Sequence, residues 1–462
     1  MKDEISPRSG ILDCEQGSAT FYEENYNFRI MNNHPIENAS TESRFAIIKK
    51  EKSHYSGVTH DGRLIAIYID NFSIPPIKTF FNLYTNIYAV QEGNVCPDWN
   101  KIDAIRFTGG TINQLFHLDQ PPYKIIGDAI KPASPKPAFP FIISHGGLNI
   151  TVAIGQMITQ YHSQTDVSIS GRNGYIDLRF SSPISFSDIP FHIEKIKSLI
   201  SFLTFRRNID FDKIILQKKL PTADVLWDSA FMYFKEFSTP TQKAEDNNIC
   251  FEELGVTIST LIDLIYNETT NNPFTFMGFI PTTDKEADRT TNDMIKNIVT
   301  CLECEIARLR GSDVELIEPD SKSESYLAEE KELNSLKKEL HSTIKEFQKN
   351  HHRFSKKTSD MLKGTIDHMT LADADKIYLL YSNYQSLICK LFCHLDIKPT
   401  REDIERLIIY RNKTTHGTQE VLDERIVTTA IHLVGLIYCM ILHSIGLYDD
   451  DIQKLCMKRF LS

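Results

Sequence analysis

Positive charge is in deficit. The chain carries 51 lysine and arginine residues against 61 aspartate and glutamate, a formal net charge of -10 over 462 residues. That balance gives no general pull toward a polyanion. It counts against a protein that coats nucleic acid, and any RNA contact must come from a local basic pocket. A cysteine framework is also lacking. The nine cysteines (Cys14, Cys96, Cys250, Cys301, Cys304, Cys389, Cys393, Cys439 and Cys456) are odd in number and scattered, which reads as reduced thiols rather than disulfide staples. Neither Gly-x-x-x-x-Gly-Lys nor Gly-x-Gly-x-x-Gly occurs, so nothing points to nucleoside-triphosphate chemistry. No repeat period is visible. Residues 1–16 hold Asp3 and Glu4 and no apolar core, so no secretory signal is expected and the expected location is cytoplasmic.

What is present can build cores, at 41% hydrophobic and 10% aromatic residues. One stretch imitates a membrane span: Ile426 to Leu447 has no Asp, Glu, Lys or Arg. A helix apolar on all sides also suits the centre of a bundle. Thr428, Thr429, His432, His443 and Ser444 favour that reading, and no membrane is expected.

Two organisations divide the chain. Short β-branched or aromatic runs at Phe45–Ile48, Leu64–Ile69, Ala104–Phe107, Phe141–Ile143, Ile150–Ile154 and Tyr175–Phe180 predict strands. The proline-rich stretch Gln120–Pro140 predicts a surface loop or an edge crossing. Ile193, Ile196, Leu199, Ile200 and Leu203 then fall on one helical face within Asp188–Arg207, and Phe211–Leu220 returns to strand character. Ser238–Asn248 is the expected linker. Helices are predicted at Phe251–Tyr266, Asn292–Arg310, Ser325–Asn350, Ala372–Leu395, Arg401–Thr415 and Gln419–Ile445. The fold class is therefore α+β: a β-rich domain over 1–240, then an all-α helical bundle over 250–462 with a polar helical insertion near 320–355.

One helix carries chemistry. Thr400 supplies a capping hydroxyl and Asp403 follows three residues later, a start signal for Arg401–Thr415. Extending the apolar stripe of Ile404, Leu407 and Ile408 by seven from Ile404 reaches Arg411. A guanidinium on a core-facing stripe is costly unless an acceptor meets it. Glu303 or Glu305 on the helix at 292–310 could supply one, and either could equally be a solvated acid. Asn412 and His416 are four apart, and Gly417 supplies a helix stop. His416 thus falls at the negative end of the helix dipole, which favours its protonated form near neutrality.

The spacing Arg-x-x-x-x-His occurs again at Arg29 and His34, in an Asn-rich segment before Pro35 with no helical stripe leading to it. That copy reads as chance. Cys301 with Cys304, and Cys389 with Cys393 and His394, fall on helical patterns and read as packing thiols rather than a zinc site.

Arg411-Asn412-Lys413-Thr414-Thr415-His416, ending a helix that precedes a long apolar one, resembles the motif of the HEPN superfamily. A strand-rich first half joined to such a bundle, with Phe186-Ser187-Asp188-Ile189 leading into its helix, resembles the ApeA-type bacterial defence proteins. The resemblance implies cleavage of RNA without a metal or other cofactor, at a site composed from two protomers. Catalytic roles would fall to Arg411, Asn412 and His416. It also implies a homodimer, an RNA substrate, and a phage-derived trigger acting on the N-terminal domain in abortive infection. The alternative is a non-catalytic HEPN module that binds RNA or protein, with Arg411 paired to a bundle acid and His416 only capping its helix.

Overall fold

The computed structural model describes residues 8–14, 17–32, 54–69, 71–73, 81–116, 123–126, 129–132, 139–162, 167–220, 225–235, 247–266, 277–282, 286, 290–311, 324–351, 353–367, 373–395, 398–415 and 422–461. The chain forms two compact units. The first takes in 1–267 and 280–284, the second 268–279 and 285–462. The α+β class with a β-rich first half is what the molecule has.

In the first unit the strands are β1 (Arg8–Cys14), β2 (Gly17–Glu24), β3 (Asn27–Asn32), β4 (His54–Thr59), β5 (Leu64–Tyr68), β6 (Asn71–Ser73), β7 (Phe81–Tyr84) and β8 (Ile87–Gln91). Then follow β9 (Ile102–Thr108), β10 (Tyr123–Ile126), β11 (Ala129–Pro132), β12 (Phe139–His145), β13 (Leu148–His162), β14 (Val167–Ile184), β15 (Lys213–Lys219) and β16 (Leu226–Phe234). Fourteen of them form one sheet in the order β12-β13-β14-β9-β15-β16-β8-β5-β4-β1-β2-β3-β7-β6, while β10 and β11 pair separately. Every described ladder is antiparallel, so alternate residues face the core. Leu12, Phe21, Phe28, Ile65, Ile67 and Tyr88 cluster on the inward face of one end. The close pairing of β1 with β4 needs glycine, since a Cβ on Gly10 would lie 2.2 Å from the Val58 carbonyl oxygen.

Helix α1 (Ile189–Thr204) buries the predicted stripe. Its His192 meets Phe180 of β14 at 4.9 Å between ring centroids. The predicted helix at 251–266 is broken. One turn at Phe251–Leu254 and a tight turn at Gly255–Thr257 precede α2 (Ile258–Tyr266), because Gly255 sits at φ +56° and re-aims the chain. Phe251 packs on Phe116 and Tyr266 on His145 and His192. These helices therefore belong to the first unit, although the sequence reading placed them after the linker. The predicted strand Phe45–Ile48 and most of the linker lie outside the described residues. The stretch read as a loop over Gln120–Pro140 contains the β10–β11 hairpin and the start of β12.

The second unit holds α3 (Asn292–Gly311), α4 (Glu324–Asn350), α5 (Lys356–Asp367), α6 (Asp373–Leu391), α7 (Arg401–Thr415), α8 (Glu424–Ser444) and α9 (Asp449–Leu461). The membrane-like stretch is α8. It packs against α3, α6, α7 and α9, and 83% of its apolar window is buried inside the unit. A Cβ on Gly435 would lie 2.6 Å from the Phe392 ring, so glycine permits that close contact. Helix α8 is not the end of the bundle, since α9 follows and Leu455 and Cys456 bury against it. The extreme apolarity of α8 is thus satisfied by burial within one chain.

Candidate active site

The site is built from the start of α7. The Thr400 hydroxyl accepts from the Asp403 backbone N–H at 3.3 Å, and the Asp403 carboxylate accepts from the Thr400 N–H at 2.9 Å. This is the reciprocal cap that the sequence announces. Arg425 of α8 adds an ion pair to Asp403 at 2.5 Å, although Asp403 is only 4% exposed. Burial pushes the Asp403 carboxyl up, but hydrogen bonds from Thr400 and Arg425 outweigh it and leave the group below its ordinary range. Arg401 holds Asp375 of α6, and Arg406 holds Asp423, the N-cap of α8. The helix that carries the motif is thereby fixed at both flanks.

Ile404 and Leu407 are fully buried, and Tyr410 is 1% exposed. The stripe ends on Arg411, whose side chain is 20% exposed. Its Nη2 donates to Glu303 Oε1 on α3 at 2.7 Å. Its Nε is buried with no hydrogen-bond partner among the described residues. The acceptor demanded by a guanidinium on a core stripe is therefore Glu303; the Glu305 side chain lies outside those described. Beside it, Tyr410 donates to Asn292 Oδ1 at 2.5 Å and ties α7 to the start of α3. Sequence reasoning passed over Tyr410 and Asn292. The signal was available, because Asp403, Leu407, Tyr410 and Thr414 repeat at helical spacing.

Asn412 is exposed on the other side of the same turn. Thr414 and Thr415 both donate to the Arg411 carbonyl, at 3.0 and 2.8 Å, and close the last turn. His416 follows directly and lies outside the described residues, so the structure assembles Arg411 with Glu303 and leaves the histidine unplaced. The competing pair fares differently. Arg29 is exposed on β3, opposite Tyr22 and Asn82, so it sits on a strand. His34 lies outside the described residues. Among the described residues no three His, Cys, Asp or Glu side chains converge as a metal-ligand set.

No family model, curated protein or solved structure matches the chain. Its function must be read from its own residues. The arrangement presents a partly buried cation held by a carboxylate, with a further N–H, that of Nε, unmatched among the described residues. A planar guanidinium suits the two oxygens of a phosphodiester.

Proposed function

We propose that this protein is an endoribonuclease that works without a metal, through a composite site made of Arg411, Asn412 and His416 from each of two copies. The observation that carries the reading is Arg411 itself. It ends a capped, core-facing stripe, is tethered by Glu303, and has a buried Nε that meets no acceptor among the described residues.

The chemistry follows from the substrate. RNA supplies its own nucleophile, the 2′-hydroxyl. One His416 takes the hydroxyl proton as O2′ bonds to phosphorus. The second His416 gives a proton to the 5′-oxygen as the P–O5′ bond breaks. The products are a 2′,3′-cyclic phosphate and a 5′-hydroxyl. The two Arg411 guanidiniums hold the extra negative charge that develops on the phosphoryl oxygens. Asn412 orients His416 or binds a phosphate oxygen. The β-rich unit restrains this activity and senses a phage-derived trigger, so the protein acts in bacterial antiviral defence in the cytoplasm.

The Arg411–Glu303 pair also favours a second reading, a non-catalytic module in which the pair only clamps α7 to α3. The two part on mutation. Purified Arg411→Ala and His416→Ala proteins, each still folded by circular dichroism, lose RNA cleavage. Arg29→Ala and His34→Ala keep it near the level of the unmodified chain. Cleavage that depends on residues 29 and 34, or none by the unmodified protein, would sink the reading.

A further inference from the structure

The helical hairpin α4–α5 stands apart from the bundle that it interrupts. Its two helices pack on each other and on no other described element to a comparable extent. Ser359 of α5 is fully buried and donates to Gln348 Oε1 of α4 at 3.0 Å. Near the tip, Phe347 meets Phe354 at 5.3 Å. Yet none of residues 331–350 is buried. Leu336, Phe347 and Leu362 remain 45%, 48% and 37% exposed.

Leu333, Leu340 and Phe347 recur every seven residues, with Leu336 three after Leu333 and Ile344 four after Leu340. That stripe is the width a helix shows when it packs in a bundle of four, and one short partner helix does not cover it. We propose that a second copy of this chain docks on the hairpin, so that two hairpins form a four-helix bundle about a two-fold axis. Such a surface meets itself, as a two-fold interface requires.

Charge fits a second copy better than another acidic surface of the chain. Helix α4 carries six glutamates against five lysines, and α5 three lysines against two aspartates. Two hairpins meet without the self-repulsion that a net charge of -10 would bring elsewhere. The orientation follows from length. Helix α4 has 27 residues, about 40 Å at 1.5 Å per residue. With the two-fold axis along the hairpins, both bases lie at the same end and the two helical units are brought together. Antiparallel hairpins would hold the bases about that length apart. The proposal rests on the ribonuclease reading only in this respect: a composite site needs its copies side by side.

Sedimentation velocity on the full chain tests it, with RNA cleavage measured on the same samples. Leu336→Glu with Phe347→Glu, and separately Leu362→Glu, alter exposed positions and should keep the helical circular dichroism. We expect the unmodified chain to sediment at twice 53.0 kDa. Both variants should dissociate, with dimerisation weaker by about a hundredfold once carboxylates face each other across the axis. An unmodified chain that is monomeric at micromolar concentration overturns the proposal, as does a dimer indifferent to both variants. Monomeric variants that have lost cleavage support the docking surface and the composite site together. Monomeric variants that cleave at the unmodified rate support the docking surface and overturn the composite site.

Discussion

A guanidinium offers five N–H groups, and on Arg411 one of them is committed to Glu303 at 2.7 Å. The glutamate is 35% exposed, so the pair adds little to stability, about 1 kcal/mol or less once solvent screens it. Its effect is positional. Without the carboxylate the arginine swings through several rotamers, and misplacement of a reacting group by about 1 Å costs on the order of a hundredfold in rate. Glu303→Ala should therefore cut RNA cleavage about 10- to 100-fold while the melting temperature barely moves. Glu303→Gln keeps an acceptor oxygen and should fall between the two. Kinetics and a thermal melt on the same samples check this. A large loss of stability with unchanged cleavage would make the pair a clamp rather than a positioner.

At the scale of the element, α7 shows what a sequence makes legible. Its bounds, Arg401–Thr415, are those read from the chain, because cap and stripe are local signals; Gly417, the expected stop, lies outside the described residues. Strands β1 to β3 escaped the reading. Gly17–Glu24 places Ala19, Phe21 and Glu23 inward, so its inner face ends on an acid and the alternation looks broken. Helix α9 escaped because it opens on three aspartates, and α5 because it is mostly polar. The partner of Arg411 could be narrowed to two glutamates but not chosen, since the rotation of α3 against α7 is a tertiary fact.

Helix α8 adds a pH dependence that its apolar sequence conceals. His432 is 1% exposed. Its Nδ1 shares a hydrogen bond with the Tyr381 hydroxyl at 3.1 Å, and its Nε2 has no partner among the described residues. Burial, with a smaller contribution from His394, brings it down from 6.5 to about 4. The folded state thus holds a neutral ring that the unfolded chain protonates first. Stability is unaffected above about pH 6.5, falls as the pH drops from there toward 4, and levels off below, with a loss on the order of 3 kcal/mol. His192 on α1, also brought to about 4 by burial, adds a similar slope in the other unit. We predict that His432→Leu flattens the fall in denaturation midpoint between pH 6.5 and 4.5. An unchanged slope would mean that His432 is already protonated in the fold.

For the whole molecule, the two-part plan was legible from the change of period along the chain, but the boundary was not. Composition pointed to Ser238–Asn248, whereas Leu261, Ile262 and Ile265 are all at most 1% exposed within the first unit, and Pro281 returns there to accept from the Arg207 N–H at 2.9 Å. A polar, proline-bearing stretch marks where a chain can loop. It does not mark where a core ends. A cut at residue 250 would strip helical cover from the sheet unit, so the full chain is the right material for any test of activity.

The central claim is RNA cleavage by 2′-hydroxyl attack at a protein-only site, and the end groups of the products test it most directly. Full-length protein is incubated with single-stranded RNA in EDTA, with His416→Ala alongside, and the termini are identified by mass spectrometry. The account predicts 2′,3′-cyclic phosphate and 5′-hydroxyl ends from the unmodified protein and uncut RNA from the variant. Cleavage that appears only with added magnesium or manganese, or that leaves 5′-phosphate ends, would contradict it.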